Sequence, residues 1–286
     1  MICSLCPRGC NVDRSVARGF CGMPQNVKVA KYCLFGFEEP AISGKGGSGA
    51  VFFSGCSLKC VFCQNYEIST LGNGQEIKVQ KLADIFRKLE EMGADNINLV
   101  NPTHYSYQIV EALKIYRPNI PIIYNTHGYE KEQTLYMLSP FVDVFLPDFK
   151  YFSDESAKKY SHCVDYVEVT KKAIKLMREL KPDIYDGEMI KQGVIIRHMI
   201  MPLLTNESIE ILTWIKQNLG NTKVSLMSQY TPYAKACEHK EINRKITRRE
   251  YNKVLDKYLE LNLDGYVQDM DSANIVFIPD FTTQLD

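Results

Sequence analysis

Three cysteines follow a short apolar run in the segment GCSLKCVFCQNYEIS, residues 55–69. They are Cys56, Cys60 and Cys63, and their spacing is C-x3-C-x2-C. Structural zinc normally takes four protein ligands and a disulfide takes two sulfurs, whereas three thiolates can hold three irons of a cubane [4Fe–4S] cluster and leave the fourth iron open. The spacing therefore favours a cluster whose open iron binds a small molecule. The alternatives are a zinc site completed by a distant histidine, and packed free thiols.

Four further cysteines lie near the N-terminus in the pattern C-x2-C-x3-C-x10-C, at Cys3, Cys6, Cys10 and Cys21. Four thiolates close a tetrahedral site without another ligand, and they suit either Zn²⁺ or an iron–sulfur cluster. In so short a segment a bound metal would supply much of the folding energy. We favour structural zinc, with an auxiliary cluster as the close rival and loose thiols as the third interpretation. The remaining cysteines are isolated and are predicted to pack as small apolar residues: Cys33, Cys163 and Cys237.

The composition excludes several classes of protein. The 286 residues are 45% apolar and 24% charged, which suits one large α/β domain or two smaller ones. With 34 basic and 34 acidic residues the net charge is zero, so we expect neither a nucleic-acid nor a membrane-surface partner. No apolar stretch is long enough for a membrane span, and the N-terminus lacks the apolar region of a signal peptide. We expect a cytoplasmic protein, where ten cysteines indicate metal rather than disulfides.

Strands and helices are predicted to alternate from residue 50 onward. Short, nearly continuous apolar runs are typical of buried parallel strands, and they occupy residues 50–55, 96–100, 121–126, 142–147, 193–200 and 223–229. Apolar residues three and four positions apart predict helices over residues 79–93, 106–116, 131–140, 165–180, 206–220 and 247–263. We expect Asn206 to cap the fifth of these helices and Gly220 to end it.

Six βα repeats favour a closed or partly closed parallel barrel over an open sheet. We expect an α/β fold with a partial (βα)6 TIM-like barrel over residues 50–286 and a C-terminal helical extension. Residues 1–49 are rich in Cys, Gly and Pro and are predicted to be an irregular, metal-binding N-terminal segment with its connection. In parallel barrels the chemistry lies at the C-terminal ends of the strands. Polar residues gather there: Cys56, Asn101, Asn125, Thr126, Asp148, Lys150 and Gln229. Arg197 and His198 are neighbours within one strand, so only one of them should point inward.

The C-x3-C-x2-C segment resembles the signature of the radical S-adenosylmethionine (SAM) superfamily. The resemblance runs along nearly the whole chain and is closest to uncharacterised iron–sulfur proteins related to pyruvate formate-lyase activating enzyme. It is carried by CSLCPRGCNVDR, GFCG, FFSGCSLKCVFCQNYEIS, NINLVNPTH, IIYNTHGYE, LPDFKY and IRHMIMP. It implies an oxidoreductase in which SAM chelates the open iron of a [4Fe–4S] cluster through its amino and carboxylate groups. An electron from the cluster would then cleave SAM to a 5′-deoxyadenosyl radical for hydrogen abstraction.

The resemblance also implies which residues contact SAM. Phe62 would pack near the adenine. The segment VNPTH, residues 100–104, stands where activating enzymes carry a Gly-Gly-Glu-like turn, so Asn101 and Thr103 would replace the missing Glu as acceptors for the SAM amine. YNTHG, residues 124–128, is similar to an Asp-Thr-Asn-Gly turn, with Asn125 and Thr126 in its first two positions.

Charged residues would complete the SAM site. The segment PDFK is similar to an Asp-Leu-Lys element, in which Asp148 would contact ribose or a nearby cation and Lys150 the SAM carboxylate. Arg197 would pair with the same carboxylate, because a guanidinium binds carboxylates through two hydrogen bonds. Gln229 and Tyr230 would contact adenosine or substrate, with a packing role as the alternative.

The motifs above imply the cofactors, whereas the substrate must be inferred from other residues and from the relatives. His104, His127 and His198 are candidate acid–base groups, with structural hydrogen bonds as the alternative. Related activating enzymes install a glycyl radical on a partner enzyme under anaerobic conditions. The first hypothesis is therefore activation of a protein substrate, with a flavodoxin- or ferredoxin-type electron donor. Radical modification of a small molecule or peptide is the alternative, and a non-catalytic zinc-binding interaction module is the distant one.

Overall fold

One large sheet organises the α/β fold of the computed structural model, which describes residues 2–272 and Phe281. Its strands, β1 to β10, are Val27–Phe35, Ser48–Phe53, Gln75–Ile77, Asn96–Val100, Ile122–Thr126, Val144–Pro147, Ile184–Asp186, Met189–Met199, Lys223–Met227 and Gly265–Val267. The α-helices, α1 to α9, are Pro40–Ser43, Tyr66–Ser69, Val79–Glu91, Ser106–Ile115, Glu132–Leu138, Asp154–Ser161, Tyr166–Leu180, Thr205–Leu219 and Arg248–Glu260. None of the helices in the described residues is long and apolar enough to cross a membrane.

Parallel pairing dominates the sheet. The strand order is β10-β9-β8-β6-β5-β4-β2-β1-β3, and β7 pairs with β8 outside this path. Neighbours from β2 to β10 are parallel, whereas β1 is antiparallel to both β2 and β3. Over the described residues, β10 and β3 remain at opposite edges, so the sheet is open rather than a closed barrel. The predicted α/β fold with a partial parallel barrel is confirmed.

Strand β1 shows that the prediction of an irregular segment over residues 1–49 is wrong. Its nine residues pair with β2 and β3. Val27 and Val29 are buried, whereas Lys28 and Lys31 lie on the partly exposed face. Because lysines interrupt its apolar residues, β1 lacks the continuous run that predicts a fully buried parallel strand. The three-residue strands β3, β7 and β10 are too short to show a period.

Helix α8 begins one residue before Asn206, so the prediction that Asn206 caps it is wrong. Leu204 occupies the cap position and makes no side-chain capping hydrogen bond. The Asn206 Oδ1 instead accepts a hydrogen bond from Lys253 Nζ of α9 at 2.7 Å. Gly220 follows the last helical residue with a φ of 62°, as the sequence predicts. Asn206 therefore makes a contact between α8 and α9 instead of capping α8.

The connection between β1 and β2 enters the interior of the open barrel. Ile42 of α1 lies in a buried apolar cluster with Ile123, Val144 and Ile195 from three parallel strands. Asn96 Nδ2 donates to the Ile42 carbonyl at 2.7 Å. Since side chains alternate along a strand, the residues two positions further along face the same interior. Asn98, Asn125 and Arg197 form a polar layer above this apolar floor, and Leu146, at the same level on β6, extends the apolar cluster.

Glu207 of α8 holds the loop that follows β6. Its carboxylate accepts hydrogen bonds from Phe152 N at 2.8 Å, Ser153 N at 3.0 Å and Ser156 Oγ at 2.5 Å. We expect Glu207→Ala to lower the free energy of unfolding by about 2–3 kcal/mol, because two backbone N–H groups lose a charged acceptor. Chemical denaturation measures this, with the exposed Glu210→Ala as the matched control. Equal effects of the two substitutions would contradict the role of Glu207.

Candidate functional site

The loop after β2 carries Cys56, Cys60 and Cys63 at the C-terminal end of the sheet. Each sulfur accepts a hydrogen bond; the donors are Leu58 N to Cys56 at 3.3 Å, Ser161 Oγ to Cys60 at 2.9 Å and Ser69 Oγ to Cys63 at 3.3 Å. Burial raises the pKa of Cys56 and of Cys60 to about 11, and it raises that of Cys63 as well. Thiols with such pKa values become ligands where a metal takes the place of the proton.

A cavity of about 140 Å³ joins the three sulfurs to the ends of the neighbouring strands. Its polar lining, apart from the cysteines, includes Asn101, Asn125, Thr126, Asp148, Lys150 and Arg197. Over residues 2–272, no three His, Cys, Asp or Glu side chains are arranged to hold a single metal ion. A [4Fe–4S] cluster instead takes each thiolate on a different iron. Three buried sulfurs around one polar cavity therefore fit the cluster better than a lone ion.

Asn101 offers an unused acceptor beside the cysteines. Its backbone has a φ of 55°, and its Nδ2 donates to the Gly55 carbonyl at 2.6 Å. Its Oδ1 is buried and has no hydrogen-bond partner among the described residues. Thr103, the other predicted acceptor for the SAM amine, is fully buried and donates its Oγ1 to Glu130 Oε1 at 2.6 Å. The structure thus brings Asn101 to the cavity and turns Thr103 away from it.

Arg197 is at the centre of the charged groups in the barrel. Its Nε donates to Asp148 Oδ1 at 2.8 Å, its Nη1 to Glu38 Oε2 at 3.1 Å and its Nη2 to Asn125 Oδ1 at 2.5 Å. Lys150 Nζ donates to Asp148 Oδ2 at 2.5 Å. Burial raises the pKa of Asp148, but Arg197 and Lys150 together outweigh it and hold that pKa at about 2. The carboxylate therefore stays ionised and both cations stay charged.

Glu38 belongs to this site although the sequence analysis did not identify it. It lies between β1 and α1, and its Oε1 accepts from Asn98 Nδ2 at 2.9 Å. Burial raises the pKa of Glu38 to about 7, although Arg197 opposes the shift. One signal was present in the sequence: NINLV alternates Asn with apolar residues, which indicates a strand with one polar face. No pattern in the sequence predicts that this polar face contacts Glu38.

A larger cavity of about 590 Å³ opens beside the cysteines between β10 and the residues at the end of β1. Phe62 lines it and contacts Tyr230, with the ring centroids 5.7 Å apart. Gln229 lines it too, and its Oε1 accepts from Gln268 Nε2 at 3.3 Å. The predicted adenosine contacts thus share one wall of the cavity, next to Lys150 and the sulfurs.

The three candidate acid–base histidines are buried and make structural hydrogen bonds. His104 Nε2 contacts the Ser54 carbonyl at 2.6 Å, and His198 Nδ1 contacts the Phe149 carbonyl at 2.7 Å. His127 Nδ1 accepts from Tyr129 N at 3.1 Å, so its Nε2 is the donor to Ser57 Oγ at 2.7 Å. Burial lowers their pKa values to about 3 for His104 and His127 and about 4 for His198. All three are therefore neutral at physiological pH. His198 also faces away from Arg197.

The four N-terminal cysteines lie within electrostatic reach of one another. Burial, with smaller contributions from the neighbouring thiols of Cys21 and Cys10, raises the pKa of Cys6 to about 12. Burial likewise raises the pKa of Cys21, with contributions from Cys3 and Cys10. The backbone N–H of Phe20 donates to Cys10 Sγ at 3.3 Å. The structure therefore gathers the predicted tetrad into one region.

Arg8, which lies within this tetrad, connects it to the loop of the other three cysteines. Its Nε donates to the Ser57 carbonyl at 2.7 Å and its Nη2 to the Ser161 carbonyl at 3.2 Å. Its guanidinium carbon lies 3.9 Å from the centre of the Phe20 ring. The hydroxyl of Ser161 donates to Cys60 Sγ, while its carbonyl accepts from Arg8. Ser161 therefore links the N-terminal cysteine segment to the loop of Cys56, Cys60 and Cys63.

Most residues of this site lie in a part of the chain that is similar in sequence to known proteins. Residues 50–215 match the radical SAM superfamily, a range that contains Cys56 to Cys63, Asp148 and Arg197. The chain is 31% identical over 272 residues to an uncharacterized protein of Methanocaldococcus jannaschii, covering 92% of this chain and 75% of that protein. It is also 26% identical over 237 residues to the pyruvate formate-lyase-activating enzyme of Clostridium pasteurianum, covering 77% of this chain and 92% of that enzyme.

Solved structures share the fold at low sequence identity. SuiB of Streptococcus suis bound to the precursor peptide SuiA superposes with a TM-score of 0.53 at 16% identity, over 75% of this chain and 46% of SuiB. Methylornithine synthase has a TM-score of 0.50 at 13% identity, over 78% of this chain and 65% of that protein. This chain spans less than two thirds of either protein, and the likeness concerns the fold alone.

Glu130 gives the site a stability that depends on pH. Its carboxyl group accepts hydrogen bonds from the hydroxyls of Thr103, Thr126 and Tyr124. Burial nevertheless raises its pKa to about 7, above the value of an unfolded glutamate. The folded state therefore keeps a proton that the unfolded state loses, and stability must fall as pH rises from about 4.5 to 7.

We expect Glu130→Gln to remove about 1–3 kcal/mol of that fall, because the amide does not titrate. Denaturation of wild type and variant at pH 5 and pH 8 measures the difference. The exposed Glu179→Gln should keep the wild-type slope. A wild-type slope in Glu130→Gln would show that the Glu130 carboxyl is ionised at both pH values.

Proposed function

Because this chain belongs to the radical SAM superfamily, we propose that it takes a hydrogen atom from a protein substrate, with a glycyl-radical enzyme as the first candidate. The superfamily makes the chain an enzyme that cleaves SAM to a radical at a [4Fe–4S] cluster. The observation that carries the proposal is one cavity lined by three cysteines, Lys150, Arg197 and Asn101. The similarity to a pyruvate formate-lyase-activating enzyme supports the choice of a protein substrate.

Cys56, Cys60 and Cys63 would hold the cluster. A cluster held there would supply one electron for cleavage of the C5′–S bond of SAM, which would give methionine and a 5′-deoxyadenosyl radical for hydrogen abstraction. A flavodoxin- or ferredoxin-type donor would provide that electron. The chain's own contribution is to bury the three sulfurs and to donate a hydrogen bond to each. Such hydrogen bonds and burial tune the reduction potential of a cluster.

The charged residues would hold the amino-acid end of SAM. Lys150 and Arg197 both line the cavity of the cysteines, and a carboxylate placed there would share their N–H groups with Asp148. The free Oδ1 of Asn101 would accept a hydrogen bond from the SAM amine. Phe62, together with Tyr230 and Gln229 on the wall of the larger cavity, would then contact the adenosine end.

Substrate would approach through the larger cavity. It is continuous with Cys60, Cys63 and Lys150, so a substrate that fills it comes close to SAM. Phe37, Tyr266 and Gln268 also line it. Occupation of this cavity would exclude water from the radical. A small molecule could enter by the same route, and that is the alternative within the class.

The proposal predicts that the cysteine triad is required for chemistry on a protein. Wild type loaded with iron and sulfide without oxygen, then reduced, should convert SAM to 5′-deoxyadenosine and give a glycyl-radical EPR signal with a glycyl-radical partner. The Cys56→Ala, Cys60→Ala, Cys63→Ala variant should lose about four irons and both products, because its cluster has no ligands. The exposed Cys237→Ala is the matched control and should behave as wild type.

Two results would contradict different parts of this prediction. A triple variant that keeps its full iron content and cleaves SAM would show that the cluster lies elsewhere. Formation of 5′-deoxyadenosine by wild type without a radical on any tested protein partner would instead favour the small-molecule alternative.

We further propose that Cys3, Cys6, Cys10 and Cys21 bind one structural metal, zinc in preference to a second iron–sulfur cluster. The electrostatic interactions among these thiols support a shared site. Since no three of them, all within the described residues, are already arranged to hold a single ion, metal binding would draw the four sulfurs together. Arg8 contacts Ser57 and Ser161, and Ser161 donates to Cys60. A metal that orders the N-terminal segment would therefore also order the loop that carries Cys60.

Replacing Cys6 and Cys10 by Ser should remove about one zinc, or about four irons if the site holds a cluster. Elemental analysis of the purified protein distinguishes the two. The double variant Cys33→Ser, Cys237→Ser removes the same number of thiols outside the tetrad and should keep the wild-type metal content. Unchanged zinc and iron in Cys6→Ser, Cys10→Ser would show that the tetrad binds no metal.

A further inference from the structure

One buried carboxylate of the larger cavity has no role in the SAM site. Glu39 lines that cavity and is only 7% exposed. Its Oε2 is buried and has no hydrogen-bond partner among the described residues. A buried carboxylate oxygen without a hydrogen bond is costly, because it has lost its hydration without gaining a donor. Glu39 is therefore in a position to accept a cation from outside the chain.

Among the described residues, the neighbouring cations make their hydrogen bonds to carboxylates other than Glu39 Oε2. Glu38 accepts from Asn98 and Arg197, and Asp148 accepts from Arg197 and Lys150. The cavity is lined by the three carboxylates of Glu38, Glu39 and Asp148 but by only the two cations Lys150 and Arg197. The SAM carboxylate would also draw on those two cations, which leaves neither of them for Glu39.

The amine of SAM does not account for Glu39. The unused Oδ1 of Asn101 lies in the smaller cavity with all three cysteines, where the amine of a cluster-bound SAM belongs. Glu39 lines the larger cavity but not the smaller one. The two unpartnered acceptors thus belong to two places, one beside the cluster and one on the path of the substrate.

The surroundings of Glu39 suit a long cationic side chain. Phe35, Phe37 and Phe52 line the same cavity, with the centroids of Phe35 and Phe37 5.5 Å apart and those of Phe35 and Phe52 6.3 Å apart. Aromatic rings accept the methylene stem of a lysine or arginine and attract its charged head. Phe37 is 58% exposed, so this aromatic wall extends to the entrance.

We propose that Glu39 binds the ammonium or guanidinium group of a lysine or arginine side chain of the protein substrate. The binding would place a basic residue next to the position from which hydrogen is taken. This inference rests on the proposed function, because it assigns a substrate to the cavity beside the SAM site. It makes Glu39 a determinant of specificity rather than a catalytic residue.

Equilibrium dialysis of Nα-acetyl-lysinamide and its neutral analogue Nα-acetyl-norleucinamide tests the proposal on anaerobic, cluster-loaded protein with SAM. The lysine amide should bind wild type at least tenfold more tightly than the norleucine amide. Glu39→Gln, which keeps the shape of the side chain, should lose this tenfold preference. The exposed Glu188→Gln should retain it. A thermal melt of each variant shows whether the fold is intact.

Three results would overturn the cation site: no binding of the lysine amide to wild type, equal binding of both amides, or an unchanged preference in Glu39→Gln. SAM binding and cluster absorbance, measured on the same samples, separate this outcome from failure of the proposed function. Wild type that binds SAM but shows no preference for the lysine amide contradicts only the role of Glu39. Wild type that binds neither cluster nor SAM contradicts the proposed function itself.

Discussion

The buried guanidinium of Arg197 is the interaction on which the interior of this barrel depends. Its side chain is only 15% exposed, and an arginine cannot lose its charge to escape the cost of burial. Acceptors must therefore be brought to it, and they come from three parts of the chain: Asp148 after β6, Asn125 on β5 and Glu38 before α1. Loss of one partner from a buried pair costs about 3–5 kcal/mol, so these segments are held in one arrangement.

The two carboxylates that contact Arg197, those of Asp148 and Glu38, differ in pKa, and this difference suits a site for charged ligands. Asp148 lies between Arg197 and Lys150, and its pKa stays at about 2. Glu38 contacts Arg197 and lies near Glu39 and Asp148, and burial, with a contribution from these like charges, raises its pKa to about 7. Near neutral pH the network can therefore take up or release one proton at Glu38.

The sequence predicts the parts of the fold and site that follow a period or a fixed spacing. The parallel strands show as apolar runs, and the alternation along β8 limits the inward position to Arg197 or His198. The triad of Cys56, Cys60 and Cys63 is predicted from its C-x3-C-x2-C spacing alone. What could not be predicted depends on contacts between distant segments. Glu38 reaches Asn98 and Arg197 from a connection with no period, and Thr103 turns toward Glu130, 27 residues away. Lys28 and Lys31 interrupt the apolar residues of β1, so the sequence does not show it as a buried strand.

The connection from β1 to β2 has a consequence for how such a protein diversifies. Residues 36–43 fill the floor of the barrel and supply Glu38 and Glu39, yet they lie outside the parallel strands and the helices that join them. A change in this stretch that keeps Glu38 in contact with Arg197 would reshape the chamber, and the parallel pairings, which other residues make, would stay as they are. Descendants of one ancestral barrel could therefore acquire new substrates by altering this internal segment alone, with the cluster loop and the sheet inherited intact.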